Sequence, residues 1–125
     1  MEEIEQEIQA KGLNAPRVTP DDIEENITSE RYFTAGDGCL GAWQYLHDIG
    51  STSAMEAIPP SLHLLTFCVL VMKNGFTVTG KSACASLESF DAELGRKNAR
   101  LNAVNKMWEL MGYELSSKLA AQQGN

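Results

Sequence analysis

The clearest pattern of apolar and polar positions lies in the middle of the chain. Residues 62–72 are apolar except for His63 and Thr66, and residues 76–85 alternate between apolar and polar side chains, with Lys-Asn-Gly between the two runs. Asn-Gly between two β-rich runs is typical of a two-residue hairpin turn, because both positions tolerate positive φ. The pattern therefore predicts an α+β fold with a small antiparallel sheet built on a hairpin over about 62–85.

A two-residue turn fixes the register of this hairpin and the side chains that share each face. It places Val71 opposite Val78, Val69 opposite Gly80 and Phe67 opposite Ser82. One face then carries Leu65, Phe67, Val69, Val71, Phe76 and Val78, and the other carries Thr66, Cys68, Leu70, Met72, Thr77, Thr79, Lys81 and Ala83. A first strand that is apolar on both faces needs cover on both sides. We expect a helix on one side and another subunit on the other.

A helical pattern follows the hairpin, over about 90–111. Five bulky apolar residues recur at helical spacing and predict one buried stripe: Leu94, Leu101, Val104, Trp108 and Met111. Ser89 or Asp91 can cap the start of this helix, and Gly112 is placed to end it. A further short helix is expected over 113–119.

The N-terminal half has weaker signals. The first ten residues predict a marginal helix, and Thr19 followed by a proline and two acids predicts the start of a short second helix. Residues 31–34 have the composition of a strand. The glycines at 36 and 38 are expected to break it, with one or two helical turns over 40–48 and a loop after Gly50. We expect an acidic extension over 1–16 and one α+β domain over 17–125.

The net charge of the chain limits the kinds of partner it can bind. The chain carries 17 acids and 10 bases, a net charge of −7, and residues 1–31 alone contribute −6 (nine acids, three bases). An acidic surface does not suit duplex nucleic acid, which needs many phosphates neutralised. A few focused cations can still hold one small anionic ligand. No run of apolar residues has the length of about 18 that a membrane helix needs, so we expect no membrane contact.

Motifs for catalysis, cofactors and metals are weak. Residues 36–41 match the dinucleotide fingerprint, but that motif requires a βαβ unit, and the next strand opens an antiparallel hairpin. The two histidines, His47 and His63, are not in a metal-binding or general-base spacing. Three cysteines without CxxC spacing favour free thiols. We therefore expect no enzyme, no cofactor and no metal.

The one local surplus of positive charge is on the predicted C-terminal helix. Arg96 and Arg100 lie one turn apart, with Lys97 beside them. One interpretation is a solvated face paired with Glu93. The other is that the arginines hold a phosphate near the strand that carries Lys81, helped by the free N–H groups of the first helical turn. Phe76, like the aromatics at 32 and 33, can stack on a base or be buried in the core.

Two stretches of the chain resemble a known family. They are residues 67–86, from Phe67-Cys68-Val69 through Asn74-Gly75-Phe76 to Ser86, and residues 90–113, from Phe90-Asp91-Ala92 through Arg96-Lys97-Asn98-Ala99-Arg100 to Gly112-Tyr113. Together they resemble the small tailed-phage proteins typified by phages N4 and Sf6. The resemblance covers about 17–119, and the segment 36–60 looks like an insertion.

The first type of Thoeris anti-defence protein is similar to that family, and this similarity implies a function. Such proteins are non-catalytic sponges for cyclic nucleotide immune signals, especially cyclic ADP-ribose isomers and in some cases cyclic oligonucleotides. They assemble as dimers or hexamers. The resemblance implies ligand contacts by Phe76 (stacking), Ser86 and Glu88 (base or ribose), and Arg96 and Arg100 (phosphates), with Lys81 nearby, and a location in the host cytoplasm.

Two other functions stay open. The acidic N-terminal segment suits a phage protein that binds and inhibits a host protein. A minor virion component is the remaining alternative.

Overall fold

The computed structural model describes residues 2–13 and 15–124. Its helices and strands are α1 (Glu2–Ala10), α2 (Pro20–Glu25), β1 (Ile27–Thr34), α3 (Ala35–Asp48), β2 (Leu65–Met72), β3 (Thr77–Ala83) and α4 (Ala92–Gln122), with short 3-10 helices at Pro60–Leu64 and Leu87–Ser89. The three strands form one antiparallel sheet in the order β1-β2-β3. The long helix α4 packs on one face of this sheet, so the predicted α+β fold is confirmed.

The hairpin is present, but its predicted register is wrong by one residue. Leu70 lies opposite Val78 and Val71 opposite Thr77. The loop has three residues rather than two: the N–H of Gly75 donates to the carbonyl of Met72 (2.9 Å), and the N–H of Met72 donates to the carbonyl of Phe76 (2.8 Å). Within this loop only Gly75 takes positive φ (88°), as in a type I turn followed by a G1 bulge.

The shifted register changes which side chains of β3 share a sheet face with which side chains of β2. The helix-covered face carries the buried residues Thr66, Cys68, Leu70, Met72, Val78 and Gly80. The opposite face, called the open face below, consists of Ser29, Arg31, Phe33, Leu65, Phe67, Val69, Val71, Thr77, Thr79, Lys81 and Ala83. Phe33 and Phe67 pack together there, with ring centroids 5.7 Å apart. The predicted grouping of Val78 with Val69 and Val71 is therefore incorrect.

Helix α4 is longer than the periodicity predicts. It runs without a break through Gly112 and includes the predicted short helix. Of the two candidate caps, Asp91 is the one used, since its carboxylate accepts from the N–H of Leu94 at 3.0 Å. Gly112 does not end the helix, because the following residues continue the apolar contacts: Leu115 and Leu119 are half-buried.

A close approach between α4 and β3 decides which side chains the helix buries. A Cβ on Gly80 would collide with the carbonyl oxygen of Ala99 and the N–H of Ala103. The buried line of α4 is accordingly Ala99, Ala103 and Met107. The predicted stripe is wrong at Leu94 and Leu101, which are 55% and 54% exposed, while Val104, Trp108 and Met111 pack against the core as partly buried residues.

The helix start at Thr19 is confirmed. Its hydroxyl accepts from the N–H of Asp22, whose carboxylate accepts from the N–H of Thr19, and Ile23 is fully buried beneath this capping box. Helix α1 is tied to the rest of the chain by Arg17, which donates to both carboxylate oxygens of Glu5 at 2.7 and 2.9 Å.

The glycine-rich run is helical, contrary to the predicted break. Thr34 and Asp37 form a second capping box, so α3 begins directly after β1. Gly36 is buried, and the ring of His63 lies so close to it that a Cβ at this position would collide with the ring. Among the described residues, no helix is both long and apolar enough to cross a membrane.

Candidate functional site

The six residues expected to contact a ligand lie in four parts of the fold. Phe76 lies between the hairpin loop and β3, Lys81 on β3, Ser86 and Glu88 in the connection 84–91, and Arg96 and Arg100 on α4.

Arg100 is held within the chain. Its Nε donates to Glu30 at 2.9 Å, and one terminal nitrogen donates to the two carboxylate oxygens of Glu24 at 2.7 and 3.0 Å. The side chain is 30% exposed. The hydrogen bonds that Arg100 donates to Glu24 raise the pKa of Arg100 against the opposing effect of burial, so the guanidinium is permanently charged. Arg100 therefore joins α4 to α2 and β1.

Tyr32 on β1 extends this network. The Tyr32 hydroxyl donates to Glu30 at 2.7 Å. Burial raises the pKa of Glu30, but the hydrogen bonds from Tyr32 and Arg100 outweigh that effect, and the net pKa lies below its ordinary value. Burial, with this bond to Glu30, raises the pKa of Tyr32. Burial likewise raises the pKa of the Cys68 thiol, so neither group is an activated nucleophile.

Arg96 lies one turn before Arg100 and is exposed. Its guanidinium makes no salt bridge or hydrogen bond with a described side chain, whereas Lys97 beside it pairs with Glu93 at 3.3 Å. Arg96 is thus available to an anion from solution, and Arg100 is not unless it releases a carboxylate.

Lys81 points away from both arginines. It pairs with Phe67 on the open face, and α4 covers the other face. Only the backbone of Lys81 meets α4, where its carbonyl accepts from Asn102 Nδ2 at 2.8 Å. A single chain does not bring Lys81 together with Arg96 and Arg100.

Ser86 and Glu88 lie beside the first turn of α4. Ser86 Oγ accepts from the N–H of Ser89 at 3.3 Å and so caps the short 3-10 helix, while Glu88 is exposed. A cavity of about 130 Å³ adjoins this connection, but neither residue lines it. Its polar lining comes from Thr66, Ser82, Ser89, Asp91 and Asn98.

Phe76 lies between two larger clefts. The loop-side cleft, about 430 Å³, is lined by Asn26, Met72, Lys73, Asn74, Phe76, Leu110, Met111 and Glu114. The strand-side cleft, about 520 Å³, is lined by Phe76, Thr77, Val78, Thr79, Lys106, Glu109, Leu110 and Tyr113. Both volumes fall within the usual range of small-molecule sites, about 300–1,000 Å³.

Sequence reasoning found Phe76 but missed the helix residues that complete these clefts. Lys106 and Tyr113 are seven positions apart on α4 and so lie on one helical face. That spacing was visible in the sequence, but a helix ending at Gly112 would have excluded Tyr113. Asn26 is also part of this region: its side chain accepts from the N–H of Lys73 at 3.0 Å and donates to Met111 Sδ at 3.4 Å.

A third cleft, of about 400 Å³, lies under α1 and has a different character. Glu2, Glu5 and Asp21 line it together with Arg17, whose guanidinium is already paired with Glu5. The hydrogen bond from Arg17 lowers the pKa of Glu5, so this acid stays ionised. The cleft is therefore unfavourable for an anion.

The described residues contain no group of three or more His, Cys, Asp or Glu side chains placed to hold a metal ion. His47 stacks on Trp43, with ring centroids 5.0 Å apart, and His63 packs against Gly36.

The fold is that of a small α+β protein with solvent-open clefts along one long helix. Residues 18–119 match the model of the phage protein family that is described as N4 Gp49/phage Sf6 gene 66, and the chain belongs to that family. The resemblance noted in the sequence is thereby confirmed over nearly the same span. No curated protein and no solved structure gives a significant match.

Proposed function

We propose that this phage-family protein is a sponge that binds and sequesters cyclic nucleotide immune signals in the host cytoplasm without degrading them. Cyclic ADP-ribose isomers are the expected ligands, with cyclic oligonucleotides as a second class. Membership of the phage family supports a role during infection. The finer assignment rests on the family's similarity to Thoeris anti-defence proteins and on the surface around Phe76.

The observation that carries the proposal is the position of the Phe76 ring. It is 56% exposed at the tip of the hairpin and borders both the loop-side and the strand-side cleft. A ring that projects between two clefts contributes little to the core, but it provides a surface on which a base can stack. Stacking of one base on an aromatic side chain contributes about 1–3 kcal/mol.

Cations near Phe76 complement a phosphate. Lys73 lines the loop-side cleft and Lys106 the strand-side cleft. One acid lines each cleft: Glu109 the strand-side cleft and Glu114 the loop-side cleft. Glu114 is already paired with Lys118 at 3.4 Å. Of the two arginines on α4, Arg96 is free to contact a ligand, whereas Arg100 is paired with Glu24 and Glu30.

A second copy of the chain on the open face is part of the proposal. Three strands of about seven residues present a planar area of about 350 Å², which is less than the roughly 800 Å² per partner of a stable interface. Helix α3 begins beside Phe33 on that face, and it exposes Leu40, Tyr45 and Leu46, followed by Ile49 at its C-cap. The helix extends the apolar surface beyond the sheet, and like surfaces can meet across a two-fold axis.

Tight capture alone is enough for such a function. At a Kd of about 1 nM, which corresponds to about −12 kcal/mol, an excess of protein lowers the free signal without any bond being broken. The site therefore needs complementarity to the ligand but no nucleophile or general base.

Titration calorimetry with cyclic ADP-ribose tests the proposal. We expect saturable binding with a fixed stoichiometry and a loss of about tenfold or more for Phe76→Ala. Ile4→Ala is the control, because Ile4 is as exposed (56%) as Phe76 but lies on α1, away from both clefts and from the open face. Absence of heat with cyclic ADP-ribose and with a panel of cyclic di- and trinucleotides would refute capture.

One observation favours the alternative of a host-protein inhibitor. Three glutamates of α1, Glu2, Glu3 and Glu7, are exposed, so the acidic segment is available to a basic partner. Removing residues 1–16 separates the two functions: a sponge keeps its ligand after the cut, and an inhibitor that acts through this segment loses its partner.

A further inference from the structure

The strand-side cleft combines a free strand edge with one face of α4. Strand β3 is an edge strand of the described sheet, because it pairs with β2 alone. The carbonyl of Phe76 accepts from the N–H of Met72 on β2. In an antiparallel pair, the residues whose backbone groups face the partner strand alternate with residues whose groups face away. The backbone groups of Val78 therefore face β2, and those of Thr77 and Thr79 face outward.

Side chains of α4 reach this same edge. Asn102 donates to the outward carbonyl of Lys81 at 2.8 Å. Lys106 follows Asn102 by four residues and Tyr113 follows Lys106 by seven, which keeps all three on one side of the helix. The outward groups of Thr77 and Thr79 therefore face the part of the cleft that Lys106 and Tyr113 line.

Two exposed rings border this cleft from opposite elements. Phe76 comes from the hairpin and Tyr113 from α4, and they are 56% and 78% exposed. The aromatic pairs of the described residues are Phe33 with Phe67 and Trp43 with His47, so these two rings do not stack on each other. Both rings are therefore accessible to a flat ligand.

The charged side chains of the cleft indicate which further group a ligand would carry. Lys106 makes no salt bridge with a described residue, and it lies two helical turns, about 10 Å, from Tyr113 along α4. Only one acid, Glu109, lines the cleft. An ammonium at one end and two rings at the other suit a molecule with a phosphate and a flat heterocycle.

We propose that the strand-side cleft is the nucleotide subsite of the protein: Phe76 and Tyr113 contact the base, the outward backbone groups of Thr77 and Thr79 hydrogen-bond its edge, and Lys106 pairs with a phosphate. This assignment rests on the proposed function and locates it. It gives β3 a role beyond the core, since an edge strand offers donors and acceptors that a covered strand does not.

Calorimetry with cyclic ADP-ribose on four variants tests the assignment. Tyr113→Ala and Lys106→Gln are each expected to weaken binding about tenfold, and Lys106→Gln is also expected to reduce the dependence of affinity on salt. Ile4→Ala and Lys97→Gln remove an exposed apolar side chain and a lysine charge outside the cleft, and both variants are expected to bind as the parent protein does. Thermal unfolding of each free variant shows that it is folded.

The outcomes separate the subsite from the function. If the parent protein binds and Tyr113→Ala and Lys106→Gln bind equally well, the subsite assignment is overturned and capture stands. If the parent protein binds none of the cyclic nucleotides, both proposals are overturned. Equal losses in the control variants would also overturn the subsite, since the effect would not be local to the cleft.

Discussion

The Nε of Arg100 donates to a carboxylate oxygen of Glu30 at 2.9 Å, although the two residues are 70 positions apart in sequence. The same guanidinium holds Glu24, so one side chain of α4 joins α2 and β1. A residue that the sequence presented as a phosphate ligand is thus part of the framework that positions α4. Its neighbour Arg96 has the same chemistry without these partners.

Arg100→Gln is expected to destabilise the protein, because it leaves Glu24 and Glu30 close together without a cation. The loss should be about 1–2 kcal/mol, since the ion pairs are partly exposed but hydrogen-bonded. Urea denaturation measures it. Arg96→Gln is the control and should change stability by less than about 0.5 kcal/mol. Equal losses in the two variants would contradict the assigned network.

Acid should weaken the same network. The pKa of Glu30 in the folded chain lies below its ordinary value of 4.5, so the unfolded chain binds the proton more readily. The contribution of Glu30 is therefore complete above that ordinary value and is lost as the pH falls through the lower, folded-state pKa. Urea midpoints at pH 7 and pH 3.5 should differ less for Glu30→Gln than for the parent protein. An identical difference in both proteins would show that Glu30 is not involved.

Gly80→Ala should be strongly destabilising, because the added methyl group collides with the backbone of Ala99 and Ala103. We expect a loss of about 3 kcal/mol, the upper end of the usual cost of overpacking. Gly112→Ala is the matched control substitution, because Gly112 lies inside α4 and a Cβ added there would have no atom within 4 Å. It should stabilise the helix by about 0.5–1 kcal/mol. Thermal denaturation of both variants tests the close approach of α4 to β3.

The open face should mediate self-association. Val69 lies at its centre, between Arg31 and Thr79. Val69→Lys is expected to convert the oligomer to a monomer in sedimentation velocity experiments, because burying an unpaired ammonium is unfavourable. Leu87→Lys, at a site that is 76% exposed and off the sheet, should keep the oligomer. A parent protein that sediments as a monomer at high concentration would contradict this role of the open face.

Local chemistry made much of the fold predictable. Thr19 and Asp91 were recognisable as caps, and the polarity of 62–85 identified the hairpin. The register was not predictable from Asn-Gly alone, because the same two residues fit both a two-residue turn and the observed three-residue loop. In the observed loop, only Gly75 has positive φ.

The errors on α4 have a tertiary cause. Periodicity selects bulky residues such as Leu94 and Leu101, but the helix approaches Gly80 so closely that only Ala99 and Ala103 fit. The same applies to the site. Phe76 was predictable as an aromatic beside a turn, whereas the pairing of Arg100 with Glu30 depends on how α4 crosses the sheet.

Recovery of the ligand after capture tests the central claim most directly. The purified protein is incubated with an equimolar amount of cyclic ADP-ribose and separated from free ligand by filtration. It is then boiled, and the released material is analysed by chromatography with mass detection. Capture predicts that the ligand stays with the protein before heating and is recovered intact afterwards. Ligand that passes the filter, or that returns as linear ADP-ribose, would contradict the account.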